Sequence, residues 1–98
     1  MNVKETLTIL SEECAEVIQA NSKLIRFGPY DEDNKAELEK ELGDVMAMIM
    51  ILDYYGYITI DNIQQNIEPK LKKLKKWIHT TKLTLSSMSS YFKKNHTR

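Results

Sequence analysis

The chain has 98 residues, of which 42% are hydrophobic and 29% charged, with only three glycines and two prolines. This composition excludes a disordered chain and predicts one mostly helical domain with a modest core. Residues 1–67 carry 5 basic and 13 acidic side chains, whereas residues 68–98 carry 9 basic and 1 acidic, so a net charge of zero conceals an acidic body and a basic end.

Cysteine content and hydropathy indicate where the protein works. Cys14 is the single cysteine, so an internal disulfide is impossible and a reducing compartment is expected. The start, "MNVKETLTIL", lacks the pattern of a signal peptide. The longest apolar run, "VMAMIMIL", has eight residues, far short of the roughly 20 needed to span a bilayer. We expect a cytoplasmic protein without membrane contact.

The first predicted helix covers Asn2 to Phe27, where apolar residues recur at steps of three and four. Asn2 and Glu5 have the spacing of an N-terminal capping box, and Gly28 followed by a proline ends the helix. Its apolar stripe is centred near Cys14 and Asn21, which predicts that Cys14 faces the core as a small hydrophobe.

A second helix is predicted to begin at the capping box "NKAE", Asn34 to Glu37, and to end near Tyr55, before Gly56. The stretch 45–52 is apolar on nearly every side. A helix buried all round in so short a chain requires a second subunit. The predicted fold is therefore an all-α antiparallel helical bundle completed by oligomerisation.

A third helix is expected from about Asp61 to His79, with Pro69 kinking or dividing it. Residues 1–79 then form the helical domain. Residues 80–98 form a basic tail rich in serine and threonine, with apolar positions for a short fourth helix at Leu85, Met88 and Phe92.

Acidic residues border the apolar stripes of the first two helices. Glu13 and Glu16 lie on the first helix, and Glu41 and Asp44 have the same spacing of three on the second. Each pair rises only about 4.5 Å along its axis, so four carboxylates converge if the helices are antiparallel. Two carboxylates about 5 Å apart repel by roughly 3 kcal/mol at an effective dielectric constant near 20. Convergence therefore raises pKa values or requires a hard cation such as Mg²⁺.

The first acidic motif alone is more often a solvated helix face than a set of ligands. The second acidic pair at the same spacing counts against a solvated face but does not decide between the two interpretations. "EECAE" and "ELGD", 24 residues apart, resemble the EExxE and ExxD signature of the all-α nucleoside triphosphate pyrophosphohydrolases, which include MazG and the dimeric dUTPases. With "RFG" and "DVMAMI", the resemblance covers roughly residues 5–78.

The resemblance implies Mg²⁺-dependent hydrolysis, with Mn²⁺ as an alternative ion, between the α and β phosphates of a nucleotide. The implied metal ligands are Glu13, Glu16, Glu41 and Asp44. Glu12 and Glu16 are the implied catalytic residues, with Glu12 orienting water or holding a further ion. The family works as dimers or tetramers, which agrees with the apolar second helix. The resemblance leaves the nucleotide unspecified.

Four further residues are candidates for substrate binding. Lys23 shares the helix edge of Glu16 and is placed to reach a phosphate. Arg26 is a further candidate, although it projects from a different part of the helix. Asn21 is a candidate for the base or sugar, with a polar contact between helices as the alternative. Asp53, on the apolar border of the second helix, is a candidate for a substrate contact.

Two other classes of protein compete with this interpretation. A ferritin-like di-iron protein needs Glu-x-x-His pairs, and both histidines, His79 and His96, lie far from the acidic motifs. A nucleic-acid-binding protein or helical adaptor using the basic C-terminal third is the stronger alternative. However, the acidic body disfavours broad contact with a phosphate backbone, so we expect no nucleic-acid partner.

Overall fold

The computed structural model describes residues 1–75, which form four α-helices: α1 (Val3–Phe27), α2 (Glu32–Tyr54), α3 (Ile60–Gln65) and α4 (Ile67–Lys75). The predicted all-α class is confirmed, because every regular element in this part of the chain is a helix. None of the described helices is both long and apolar enough to cross a bilayer. The predictions for His79 and for the tail, residues 80–98, lie outside the described residues.

Helix α1 begins and ends as its sequence predicts. The Asn2 side chain accepts the backbone N–H of Glu5 at 3.1 Å and so pairs one of the free amides of the first turn. At the other end Gly28 has φ +107°, a conformation that side chains disfavour, and its N–H donates to the Leu24 carbonyl at 2.8 Å.

Helix α2 begins two residues before the predicted capping box, so the prediction of a start at Asn34 is wrong. Asp31 is the N-cap, and its side chain accepts the backbone N–H of Asn34 at 3.0 Å. Glu32 and Asp33 then fall in the first turn, where negative charge is favourable. The helix ends at Tyr54, within a residue of the prediction.

The short connection after α1 folds α2 back against it, so the two helices pack as an antiparallel hairpin. Thr6 and Ala20 are the buried residues of α1, and Glu13 lies midway between them on the same line of the helix. On α2 the buried residues are Glu41 and Leu52, eleven residues or three turns apart. The contact between α1 and α2 therefore includes one glutamate from each helix, Glu13 and Glu41.

The contact with α2 covers only one edge of the apolar stripe of α1, where Val17 and Leu24 are half-buried. Cys14 is exposed, so the prediction that it faces the core is wrong. Ile18 and Ile25 on the same side are 67% and 77% exposed, and on α2 Met46 and Met50 are 59% and 61% exposed. Each helix carries apolar residues on two sides, and one partner helix can cover only one of them.

The predicted third helix is divided, as expected, but the break falls at Asn66, between α3 and α4, rather than at Pro69 itself. Pro69 is the third residue of α4. In a first turn the backbone N–H has no partner within the helix, so proline is tolerated there.

Asp53 connects the end of α2 to the start of α3. Its side chain accepts the backbone N–H of Ile60, the first residue of α3, at 2.9 Å. We expect Asp53→Ala to lower the free energy of unfolding by about 1 kcal/mol, as the loss of a helix cap does. Urea unfolding measures this change. An unchanged midpoint, combined with a raised KM for nucleotide, would instead assign Asp53 the substrate contact predicted from the sequence.

Candidate active site

Four carboxylates from α1 and α2 converge as the two acidic motifs predict. Each of Glu13, Glu16, Glu41 and Asp44 offers one oxygen, and these oxygens lie within 4.8 Å of one another. Helical geometry accounts for the arrangement, because residues three apart occupy neighbouring turns on one face. The antiparallel hairpin then sets one pair against the other. We call these four residues the carboxylate cluster.

The burial of Glu41 separates the cluster from an ordinary charged surface. Glu41 is only 8% exposed, and its Oε2 atom is buried without a hydrogen-bond partner. Oε2 of Glu13 is buried and unpartnered in the same way. A buried carboxylate oxygen without a donor is unfavourable unless a cation or a proton compensates it. The chemistry of the donor set therefore fits a hard divalent cation, which prefers oxygen ligands.

Glu16 is the member of the cluster whose pKa is raised by its neighbours. Its approach to the Glu41 side chain within hydrogen-bonding range, together with the negative charges of Glu13 and Glu41, raises the pKa of Glu16 above its ordinary value. Glu16 itself is exposed to solvent. Its carboxyl group is thus open to solvent and lies beside two other negative charges of the cluster.

A lysine that sequence reasoning missed lies against the same carboxylates. Lys40 Nζ is 3.3 Å from Asp44 Oδ2 and 3.4 Å from Glu41 Oε1. These two carboxylates raise the pKa of Lys40, chiefly through the hydrogen bond to Asp44. The spacing of four between Lys40 and Asp44 is the signal that predicts such a pair on a helix.

A second ion pair joins the two helices further along the hairpin. Lys23 Nζ lies 3.1 Å from Glu37 Oε1 and 3.4 Å from Oε2, and both side chains are 41% exposed. Lys23 is therefore held by a carboxylate outside the cluster. Sequence reasoning missed Glu37 because it assigned this residue to a capping box.

The remaining predicted site residues are not members of the carboxylate cluster. Glu12 is exposed and lines an open groove along the first three turns of α1. The Arg26 guanidinium lies 5.0 Å from the centre of the Phe27 ring, and Asn21 is exposed. Asp53 lies nine residues beyond Asp44, about 14 Å along α2.

The hairpin and its carboxylate cluster define a class of protein. An all-α protein with converging carboxylates inside a helix pair is one equipped to hold a hard divalent cation. The cluster lacks the histidines of a di-iron site, and its oxygen-only chemistry suits reactions at phosphate.

The chain belongs to the MazG nucleotide pyrophosphohydrolase domain family, which it matches over residues 1–79. It is therefore a hydrolase acting on phosphoric anhydrides, from a family that generally depends on a divalent metal. Among curated proteins and among solved structures, no significant match is found. The family match includes both acidic motifs that form the carboxylate cluster.

Proposed function

We propose that the protein is a Mg²⁺-dependent nucleoside triphosphate pyrophosphohydrolase. It hydrolyses the bond between the α and β phosphates of ribo- or deoxyribonucleotides and gives a monophosphate and pyrophosphate. The observation that carries the proposal is the convergence of four carboxylate oxygens within 4.8 Å of one another, in a cluster where Oε2 of Glu41 is buried without a hydrogen-bond partner. Cytoplasmic location, predicted from the single cysteine, is part of the proposal.

We assign the four carboxylates to metal binding or to proton transfer according to their exposure to solvent. Glu13, Glu41 and Asp44 are half-buried or buried and would hold the ion, with Mn²⁺ as an alternative to Mg²⁺. Such an ion would neutralise phosphate oxygens and activate water. Glu16, exposed and with a raised pKa, completes the ligand set and accepts the proton of the attacking water. Glu12, one turn before Glu16, orients that water.

The substrate's phosphates are assigned to the basic residues of α1. Lys23 lies two turns beyond Glu16, about 10 Å along the axis of α1 and on the same edge of the helix. A phosphate oxygen would replace Glu37 as its partner. Arg26, whose guanidinium lies against the Phe27 ring, is assigned to the same phosphates. Asn21 and Asp53 are assigned to the nucleoside, within a site that a second subunit completes.

We assign the uncovered apolar face of the hairpin to an interface between copies of the chain, in a homodimer or homotetramer. By helical geometry the exposed residues Ile18 and Ile25 of α1 and Met46 of α2 lie on one side of the antiparallel pair, opposite Glu16. Exposed apolar surface of this extent on two adjacent helices is typical of a subunit interface.

The interface assignment predicts the outcome of adding one charge. We expect Ile18→Glu to convert the oligomer to a monomer in size-exclusion chromatography with light scattering, because it buries an unpaired carboxylate. Gln19→Glu adds the same charge to an exposed position of α1 that does not share the face of Ile18, and should leave the oligomer intact. A wild-type monomer, or an Ile18→Glu oligomer of unchanged size, would contradict the assignment.

The direct test of the proposed function is pyrophosphate release from a panel of ribo- and deoxyribonucleoside triphosphates, each with Mg²⁺, with Mn²⁺ and with a chelator. We expect release with at least one nucleotide, only when a divalent metal is present. Turnover that persists in the chelator would contradict the metal-dependent reaction. The same panel identifies the base and sugar preferences.

A further inference from the structure

The ammonium group of Lys40 lies where a cation bound by the cluster would compete with it. Its two contacts are with Asp44 Oδ2 and Glu41 Oε1, and these residues supply half of the carboxylate cluster. The ammonium donates to oxygens of the same carboxylates that the proposed ion needs. Two cations on the same carboxylates at this spacing repel each other.

The two side chains of the Lys40–Glu41 ion pair differ in their exposure to solvent. The Lys40 side chain is 68% exposed, whereas that of Glu41 is 10% exposed. Lys40 can therefore move into solvent without any rearrangement of the fold, but Glu41 cannot. An exposed lysine stem with free rotamers loses little when it leaves such a pair, since exposed ion pairs are weak.

We infer that Lys40 is a built-in counter-ion of the carboxylate cluster: it neutralises the Glu41 and Asp44 edge before metal binds and leaves that edge when a divalent cation arrives. This inference rests on the proposed metal-dependent function and concerns only what sets its metal affinity. Lys40 does not contact the substrate. It lowers the repulsion among the carboxylates of the metal-free cluster, and for the same reason it weakens the binding of the divalent cation that replaces it.

Calorimetric titration of the full-length protein with Mg²⁺ alone, without nucleotide, tests this inference. We expect Lys40→Gln to bind Mg²⁺ about three- to tenfold more tightly than the wild type, because the competing charge is gone. Lys35→Gln is the matched control. Lys35 is on the same helix and pairs with Glu32 at 3.6 Å, but it lies nine residues from Asp44, about 14 Å along the axis.

The outcomes distinguish the inference from a general charge effect and from the proposed function. Equal affinity in Lys40→Gln and wild type, or weaker affinity in Lys40→Gln, overturns the counter-ion role. An equal gain in Lys35→Gln also overturns it, since removal of any positive charge would then suffice. If the wild type binds Mg²⁺ and Asp44→Asn does not, the metal centre stands whatever Lys40 does. If neither binds it, the proposed function fails together with the inference.

Discussion

Asp44→Asn is expected to reduce Mg²⁺-dependent pyrophosphate release by at least about a hundredfold, since loss of a ligand affects a metal site no less than loss of its outer-shell partners. The substitution removes one negative charge and one oxygen donor but keeps the size of the side chain. Asp44 is only half-buried and packs no core position, so the helical signal in far-ultraviolet circular dichroism should be unchanged.

Glu39→Gln provides the matched control for this experiment. Glu39 is an exposed carboxylate of the same helix that does not belong to the cluster. It should retain turnover close to that of the wild type, which excludes a general effect of negative charge on α2. Substantial turnover in Asp44→Asn, or an equal loss in Glu39→Gln, would remove the cluster from the mechanism.

The stability of the metal-free protein is expected to depend on pH through Glu16. Its pKa is raised in the folded state, so between its ordinary value of 4.5 and the raised value the folded chain binds more protons than the unfolded chain. The contribution of Glu16 to stability therefore decreases as pH rises through this window and stays low above it. Bound Mg²⁺ should offset the loss, because it compensates the ionised cluster.

Urea unfolding in a chelator, over a pH series from about 4 to 8, measures this effect as a difference between variants. The midpoint of Glu16→Gln should rise relative to the wild type as pH increases, because the substitution removes the charge that the fold disfavours. Glu39→Gln should show no such trend, and saturating Mg²⁺ should reverse the advantage of Glu16→Gln. A pH-independent difference would show that the cluster does not repel Glu16.

The parts of the site that follow from helical periodicity are those that the sequence predicts best. The spacing of three within each acidic pair fixes Glu13 beside Glu16 and Glu41 beside Asp44, and the short connection after Gly28 makes the helices antiparallel. These two features alone predict that the four carboxylates lie close together, as they do in the structure.

Structure and prediction differ where a local sequence pattern does not determine which neighbour a residue contacts. The apolar stripe centred on Cys14 predicts that Cys14 is buried, but α2 packs on the line through Thr6 and Ala20, because periodicity does not fix which edge of a broad stripe meets the partner helix. Likewise, Asn34 to Glu37 has capping-box spacing, but Asp31 caps the helix earlier and leaves Glu37 to pair with Lys23. Local spacing permits both arrangements, and tertiary contacts select one.

The most direct test of the central claim is the identity of the products, followed by ³¹P nuclear magnetic resonance with the preferred nucleotide. We predict equal amounts of monophosphate and pyrophosphate from the wild type in Mg²⁺, and neither product in a chelator or from Glu41→Gln. A diphosphate with inorganic phosphate, or hydrolysis that persists without a divalent metal, would contradict the assignment of the carboxylate cluster to cleavage between the α and β phosphates.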